Sequence, residues 1–121
     1  MTPRSWELSS VLIVGNVWVL ERDKAGALEG AVRLEEANFA DAPSRVIAST
    51  SISLAPGTEQ ARFRLEIDQA PNPKGSYLVT ALLEGVDVRT RRTRLFGTTV
   101  AYPWHPDGTS SEVLIEVRPW D

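Results

Sequence analysis

No cysteine occurs in the 121 residues, and histidine and methionine occur once each. The first absence excludes disulfides, thiolate metal sites, a Cys nucleophile and a lipid-bearing cysteine. The second leaves His105 as the only imidazole for acid–base chemistry. Long apolar runs are missing as well: Val11–Val14 stops at Gly15-Asn16, far short of a membrane-spanning helix. The start, Met1-Thr2-Pro3-Arg4-Ser5-Trp6-Glu7, has no basic segment leading into an apolar one. As written the chain is expected in the cytoplasm, and in the periplasm or at the outer membrane if a signal segment is missing from its front. Nor is there an excess of positive charge. Lys plus Arg is 13 and Asp plus Glu is 16, a net −3 that gives no general attraction to phosphate backbones or anionic lipid. Neither nucleic acid binding nor membrane insertion is expected.

What the chain does have is alternation of apolar and polar residues, in short segments broken by Gly, Pro, Asn and Asp. No segment sustains a helical period. Ser10–Glu21 reads as a first strand, with Gly15-Asn16 as a bulge or kink. In Leu28–Ala37, Leu28, Val32 and Leu34 share one face and Glu29, Arg33 and Glu35 the other. Arg45–Leu54 sets Val46, Ala48, Ile52 and Leu54 against Arg45 and an outer face of small hydroxyls, Ser49, Ser51 and Ser53. Ala61, Phe63, Leu65 and Ile67 alternate with Arg62, Arg64 and Glu66, the clearest period of two in the chain. Ser76–Gly85 is apolar on both faces and is expected to be central. Leu95–Ala101 and a strand through Val113, Ile115 and Val117 complete the set. About seven strands with a turn signal every ten residues or so predict an all-β fold, a two-sheet antiparallel Greek-key sandwich, with a small barrel as the competing architecture. Residues 1–9 read as a loose tail before one domain over 10–121. Phe39 is expected to anchor the loop that follows the second strand.

Catalytic groups do not converge. His105 and Asp107 sit two apart in a Pro-rich turn, no Gly-x-Ser-x-Gly elbow supplies a nucleophile, and Glu35 and Glu36 point to opposite faces of a strand. Gly26-Ala27-Leu28-Glu29-Gly30 lacks the spacing of a phosphate cradle, and Glu35, Glu36, Asn38 and Asp41 do not fit a calcium loop. No enzyme activity, metal or cofactor is expected. Two features point to binding. Arg89, Arg91, Arg92 and Arg94 gather four positive charges that either grip an acidic partner or guard a hairpin tip or sheet edge. Tyr102, Trp104 and His105 form an aromatic loop of a kind enriched in binding hot spots, although Trp18, Trp104 and Trp120 equally suit plugs at the ends of a sandwich. Tyr77 opens the central strand in the manner of a tyrosine corner.

Asn38-Phe39-Ala40-Asp41-Ala42-Pro43-Ser44-Arg45-Val46-Ile47-Ala48, after Val32-Arg33-Leu34-Glu35-Glu36-Ala37, resembles a segment of the YbaY/YscW-type lipoproteins. Phe63–Asp68, Tyr77–Ala81 and Leu95–Thr99 are similar to later strands of that family in the same order, so the likeness runs from about Val14 to Val117. The resemblance implies a β-sandwich that binds protein without catalysis, since the family includes outer-membrane lipoproteins and pilotins that assist assembly or targeting of type III secretion secretins. The segment Val86–Thr93 looks longer and more basic than the family's usual hairpin. The partner expected on these grounds is another protein, bound through Arg89, Arg91, Arg92, Arg94, Tyr102, Trp104 and His105. A small ligand or carbohydrate stacked on Tyr102, Trp104 and Trp120 is the alternative.

Overall fold

The computed structural model describes residues 11–21, 25–37, 45–67, 76–100, 102–104 and 112–120. Among these residues eight strands follow one another: β1 (Val11–Val19), β2 (Ala25–Ala37), β3 (Arg45–Leu54), β4 (Gln60–Ile67), β5 (Ser76–Asp87), β6 (Thr93–Thr98), β7 (Pro103–Trp104) and β8 (Glu112–Pro119). The proposed tail and Phe39 lie outside the described residues.

The all-β expectation holds, but the two-sheet sandwich does not. The strands form one mixed sheet in the order β3-β2-β5-β6-β8-β1-β4, with β7 beside the start of β5. All ladders are antiparallel except β1 with β8, which is parallel. The two ends of the path, β3 and β4, lie against each other across the turn at 55–59, so the sheet curls into a nearly closed barrel. Alternation along a strand assigns an inside and an outside in a sandwich and in a barrel alike, so the pattern of the sequence does not distinguish them.

Burial follows the period of two. Ile13, Val17 and Val19 of β1, Leu28, Val32 and Leu34 of β2, Phe63, Leu65 and Ile67 of β4, Val79 and Leu83 of β5, Phe96, Ile115 and Val117 all point inward and fill the interior. β5 is central as expected, paired with β2 on one side and β6 and β7 on the other. Only one of its faces is covered, however, and Leu82 is exposed on the other.

Two local readings change. Gly15-Asn16 is not a bulge: the β1–β4 register runs without a break from Val11↔Ile67 to Trp18↔Gln60. Gly15 serves close approach instead, because a Cβ there would run into the Val113 carbonyl oxygen of β8 and the Phe63 ring of β4. The irregularity falls between Leu34 and Glu35, where Leu34 faces Ala48 but Glu35 faces Val46. The extra residue, Ile47, packs against the core and Val46 turns to solvent, which reverses the faces expected for that end of β3.

Three substitutions test this arrangement by thermal or denaturant unfolding. Phe63→Ala is expected to cost about 3–5 kcal/mol through lost burial and the cavity left behind. Gly15→Ala is expected to cost about 3 kcal/mol or more, since a backbone carbonyl must give way. Ser51→Ala, on the exposed face, is expected to be neutral.

Candidate protein-binding surface

The arginine segment lies at the tip of the β5–β6 hairpin. Asp87 organises it: Arg89 N–H and Thr90 N–H donate to Asp87 Oδ1 at 2.8 and 3.0 Å. Across the loop, Arg91 N–H donates to the Asp87 carbonyl at 2.8 Å and Asp87 N–H donates to the Arg92 carbonyl at 2.9 Å. Arg91 takes a left-handed conformation, φ 61°. The donation from Thr90 N–H, that from Arg89 N–H and the charge of Arg94 together hold the Asp87 carboxyl below the usual aspartate range. The structure separates the four arginines. Arg89, Arg91 and Arg92 are exposed on the tip, whereas the Arg94 guanidinium lies over the Phe96 ring, 5.2 Å from its centroid, and is half-buried.

The aromatic candidates are not beside them. Trp104 pairs with Tyr77 at the opposite end of β5, and ten residues of strand put roughly 30 Å between that end and the hairpin tip. Trp104 is 8% exposed and meets the Tyr77 ring edge-on, with centroids 5.7 Å apart. The Tyr102 carbonyl accepts from Val79 N–H at 2.9 Å and its hydroxyl accepts from Glu116 N–H at 2.9 Å, which fastens this segment to β5 and β8. The Tyr77 hydroxyl lies 3.4 Å from Glu36 Oε2 on the neighbouring β2. These rings close one end of the barrel. His105 lies outside the described residues. Trp120 differs, being 52% exposed with its ring over Gly97 on the outer face, a position that any side chain at 97 would contest.

Two concavities lie on the outside of the sheet, and sequence reasoning did not single them out. One groove of about 630 Å³ runs over β3, β2, β5 and β6, between Ser51, Ser53, Ala31 and Arg33 on one side and Leu82, Glu84 and Leu95 on the other. A second, of about 640 Å³, shares Glu29, Ser53 and Glu84 with it and continues past Val86 and Thr93 toward the arginine hairpin. Register makes the groove: Ala31 faces Leu82, Leu82 faces Gly97, and the small serines of β3 flank them. The serine face of β3 was the visible signal, because small side chains beside leucines leave a depression. Glu29 and Glu84 are directly opposite across the β2–β5 ladder, a like-charged pair that costs stability and makes the middle of the groove negative. Among the described residues no group of three or more His, Asp or Glu could hold a metal ion.

Because the Asp87 carboxyl is depressed, its contribution to hairpin order is present at neutral pH, above the unfolded value. It is lost as pH falls through the lower folded value. The amide resonances of Arg89 and Thr90 are therefore expected to move together in an acid titration, below the usual aspartate range. Asp87→Ala should shift them at neutral pH more than Asp87→Asn, which keeps an acceptor oxygen. Equal effects of the two substitutions would show that the carboxylate does not cap the turn.

No known family profile and no curated protein sequence matches the chain. A solved structure does: an alternative pilotin from the type II secretion system of Vibrio cholerae superposes with a TM-score of 0.69 at 24% identity, over 93% of this chain and 98% of that one. At that identity the likeness is one of fold, and the fold is pilotin-like.

Proposed function

We propose that this chain is a non-catalytic protein-binding domain that assists assembly of a larger complex in the manner of a pilotin, and that it belongs with the YbaY/YscW-type proteins its sequence resembles. The observation that supports this reading is the likeness in fold to a pilotin, which runs over nearly the whole of both chains. Fold alone does not assign function, so the site must carry the rest. The interior is occupied by the chain's own side chains, which moves binding to the outside of the sheet. There the groove offers what a partner segment needs: exposed Leu82 and Leu95 for apolar contact, small serines that admit a bulky side chain, and charges at its middle and end.

The alternative of a small ligand or carbohydrate draws support from Trp120, whose half-exposed ring lies on the sheet and offers a flat stacking surface. Trp120→Ala removes that surface without touching the groove floor.

Ser51→Tyr tests the first reading, because it fills the groove from an exposed position that tolerates a β-forming residue. Tagged wild-type protein is expected to retain a discrete partner from the native cell extract, and the partner, once identified and purified, is expected to rebind it. The variant should keep its unfolding midpoint and lose most of that affinity. Failure of wild-type protein to retain any partner at micromolar concentration contradicts the reading. Undiminished binding by Ser51→Tyr moves the site away from the groove.

A further inference from the structure

Four of the described arginines on the strands have a carboxylate near at hand: Arg45 with Glu36 at 3.3 Å, Arg62 with Glu112 at 3.2 Å, Arg64 with Glu66 at 3.6 Å, and Arg118 with Glu21 at 3.6 Å. Among the described residues Arg33 on β2 has no such partner, and the hairpin tip gathers three more arginines that have none. Among the described residues Arg89, Arg91 and Arg92 have no ion-pair partner, although the chain carries more acidic than basic residues. The nearest carboxylate in sequence, Asp87, accepts from the backbone N–H groups of Arg89 and Thr90 and so turns its charge into the loop. Three guanidinium groups are thus left facing solvent on a turn whose backbone is already fixed, which lowers the ordering cost of binding.

From this we infer that the β5–β6 hairpin end recognises an acidic segment of the partner protein, with carboxylates on Arg89, Arg91 and Arg92 and aliphatic side chains beside them. The inference rests on reading the chain as a protein-binding domain and names the chemistry of its partner. Forked, charge-assisted hydrogen bonds from guanidinium to carboxylate supply the specific contact. Val86 and Val88, 50% and 64% exposed, supply the apolar one. The concavity runs as far as Val86 and Thr93, the last paired residues of the hairpin, so a chain segment that leaves the groove there is directed toward the turn that carries the arginines. Polyphosphate fits the surface less well. The Glu29–Glu84 pair sits within the same concavity and repels a uniformly anionic strand, while a peptide can place acidic residues at the tip alone. A flat anionic bilayer gains nothing from a groove.

The probe is a short fluorescent peptide in which a run of Glu adjoins Leu and Val, read by anisotropy beside its Gln-for-Glu counterpart. Wild-type protein is expected to bind the acidic peptide on the order of tenfold more tightly than the neutral one, with an advantage that shrinks as salt is raised. Arg89→Glu with Arg92→Glu should abolish the preference at an unchanged unfolding midpoint. Should that variant be unstable, Arg91→Gly removes a charge where glycine is the better backbone fit, and is expected to weaken acidic-peptide binding while holding or raising the midpoint. Equal binding of the two peptides, or a preference that survives both variants, overturns the inference. Tighter binding to phosphatidylglycerol vesicles than to the peptide, lost in the same variants, overturns it in favour of a membrane surface. The two readings also fail separately. A native partner retained equally by wild type and the double reversal sinks the hairpin while sparing the protein-binding function. A wild type that retains no native partner yet prefers the acidic peptide sinks that function alone.

Discussion

The parallel pairing of β1 with β8 is the contact on which the rest of the structure depends. A single sheet has no second layer to cover its apolar face and can bury that face only by curling on itself. Here β3-β2-β5-β6-β8 forms one run and β1-β4 the other, and the β1–β8 ladder from Val14↔Glu112 to Val19↔Val117 joins them. The approach is close enough that only glycine fits at position 15, between the Val113 carbonyl and the Phe63 ring. Val19 N–H reaches the Glu59 carbonyl and Leu20 N–H the Val117 carbonyl, both at 2.8–2.9 Å, which ties the end of β1 to its neighbours on either side. With that seam in place, the inward faces of β2, β4, β5 and β6 meet in one core.

Closure also decides which surface is left open. Because the inside is packed with valine, leucine, isoleucine and phenylalanine, the outer face is the part available to a partner, and its features come from strands distant in sequence. Leu82 lies beside Ala31 on one side and Gly97 on the other, and Trp120 lies over Gly97. Charge along this face changes sign, from Glu29 and Glu84 in the groove to the three arginines at the hairpin tip. A surface of that kind discriminates by charge register as well as by shape.

Much of the strand content was legible in the sequence, and the reason is local. Phe63, Leu65 and Ile67 alternate with charges, and Tyr77 to Leu83 read as central, because burial in a sheet repeats every second residue. What was not legible depended on neighbours. Gly15 looked like a bulge because a glycine in a strand signals either irregularity or close approach, and only the position of Val113 settles which. Val46 and Ile47 exchanged faces because the irregularity lies opposite them, between Leu34 and Glu35 of another strand. β7 escaped notice because Pro103 and Trp104 form a bridge of two residues within a turn-rich stretch. The arginine run was visible as charge, but its division into three exposed tip residues and one packed on Phe96 followed from where the hairpin turns. The groove could not be read from any one segment, since serines of β3, leucines of β5 and β6 and glutamates of β2 and β5 meet only through register.

Closure through β1 and β8 can be tested with one engineered bridge, because the chain has no cysteine to compete with it. Asn16 and Leu114 are register partners on the outer side of the parallel ladder, within the spacing that a disulfide spans. In the variant Asn16→Cys with Leu114→Cys, a bridge is predicted to form on mild oxidation. It closes a loop of roughly 100 residues and should raise the unfolding free energy by about 4 kcal/mol relative to the reduced form. Failure of the two thiols to couple, or a bridge that lowers the unfolding midpoint, would contradict the parallel seam and with it the closed sheet whose outer face carries the proposed binding surface.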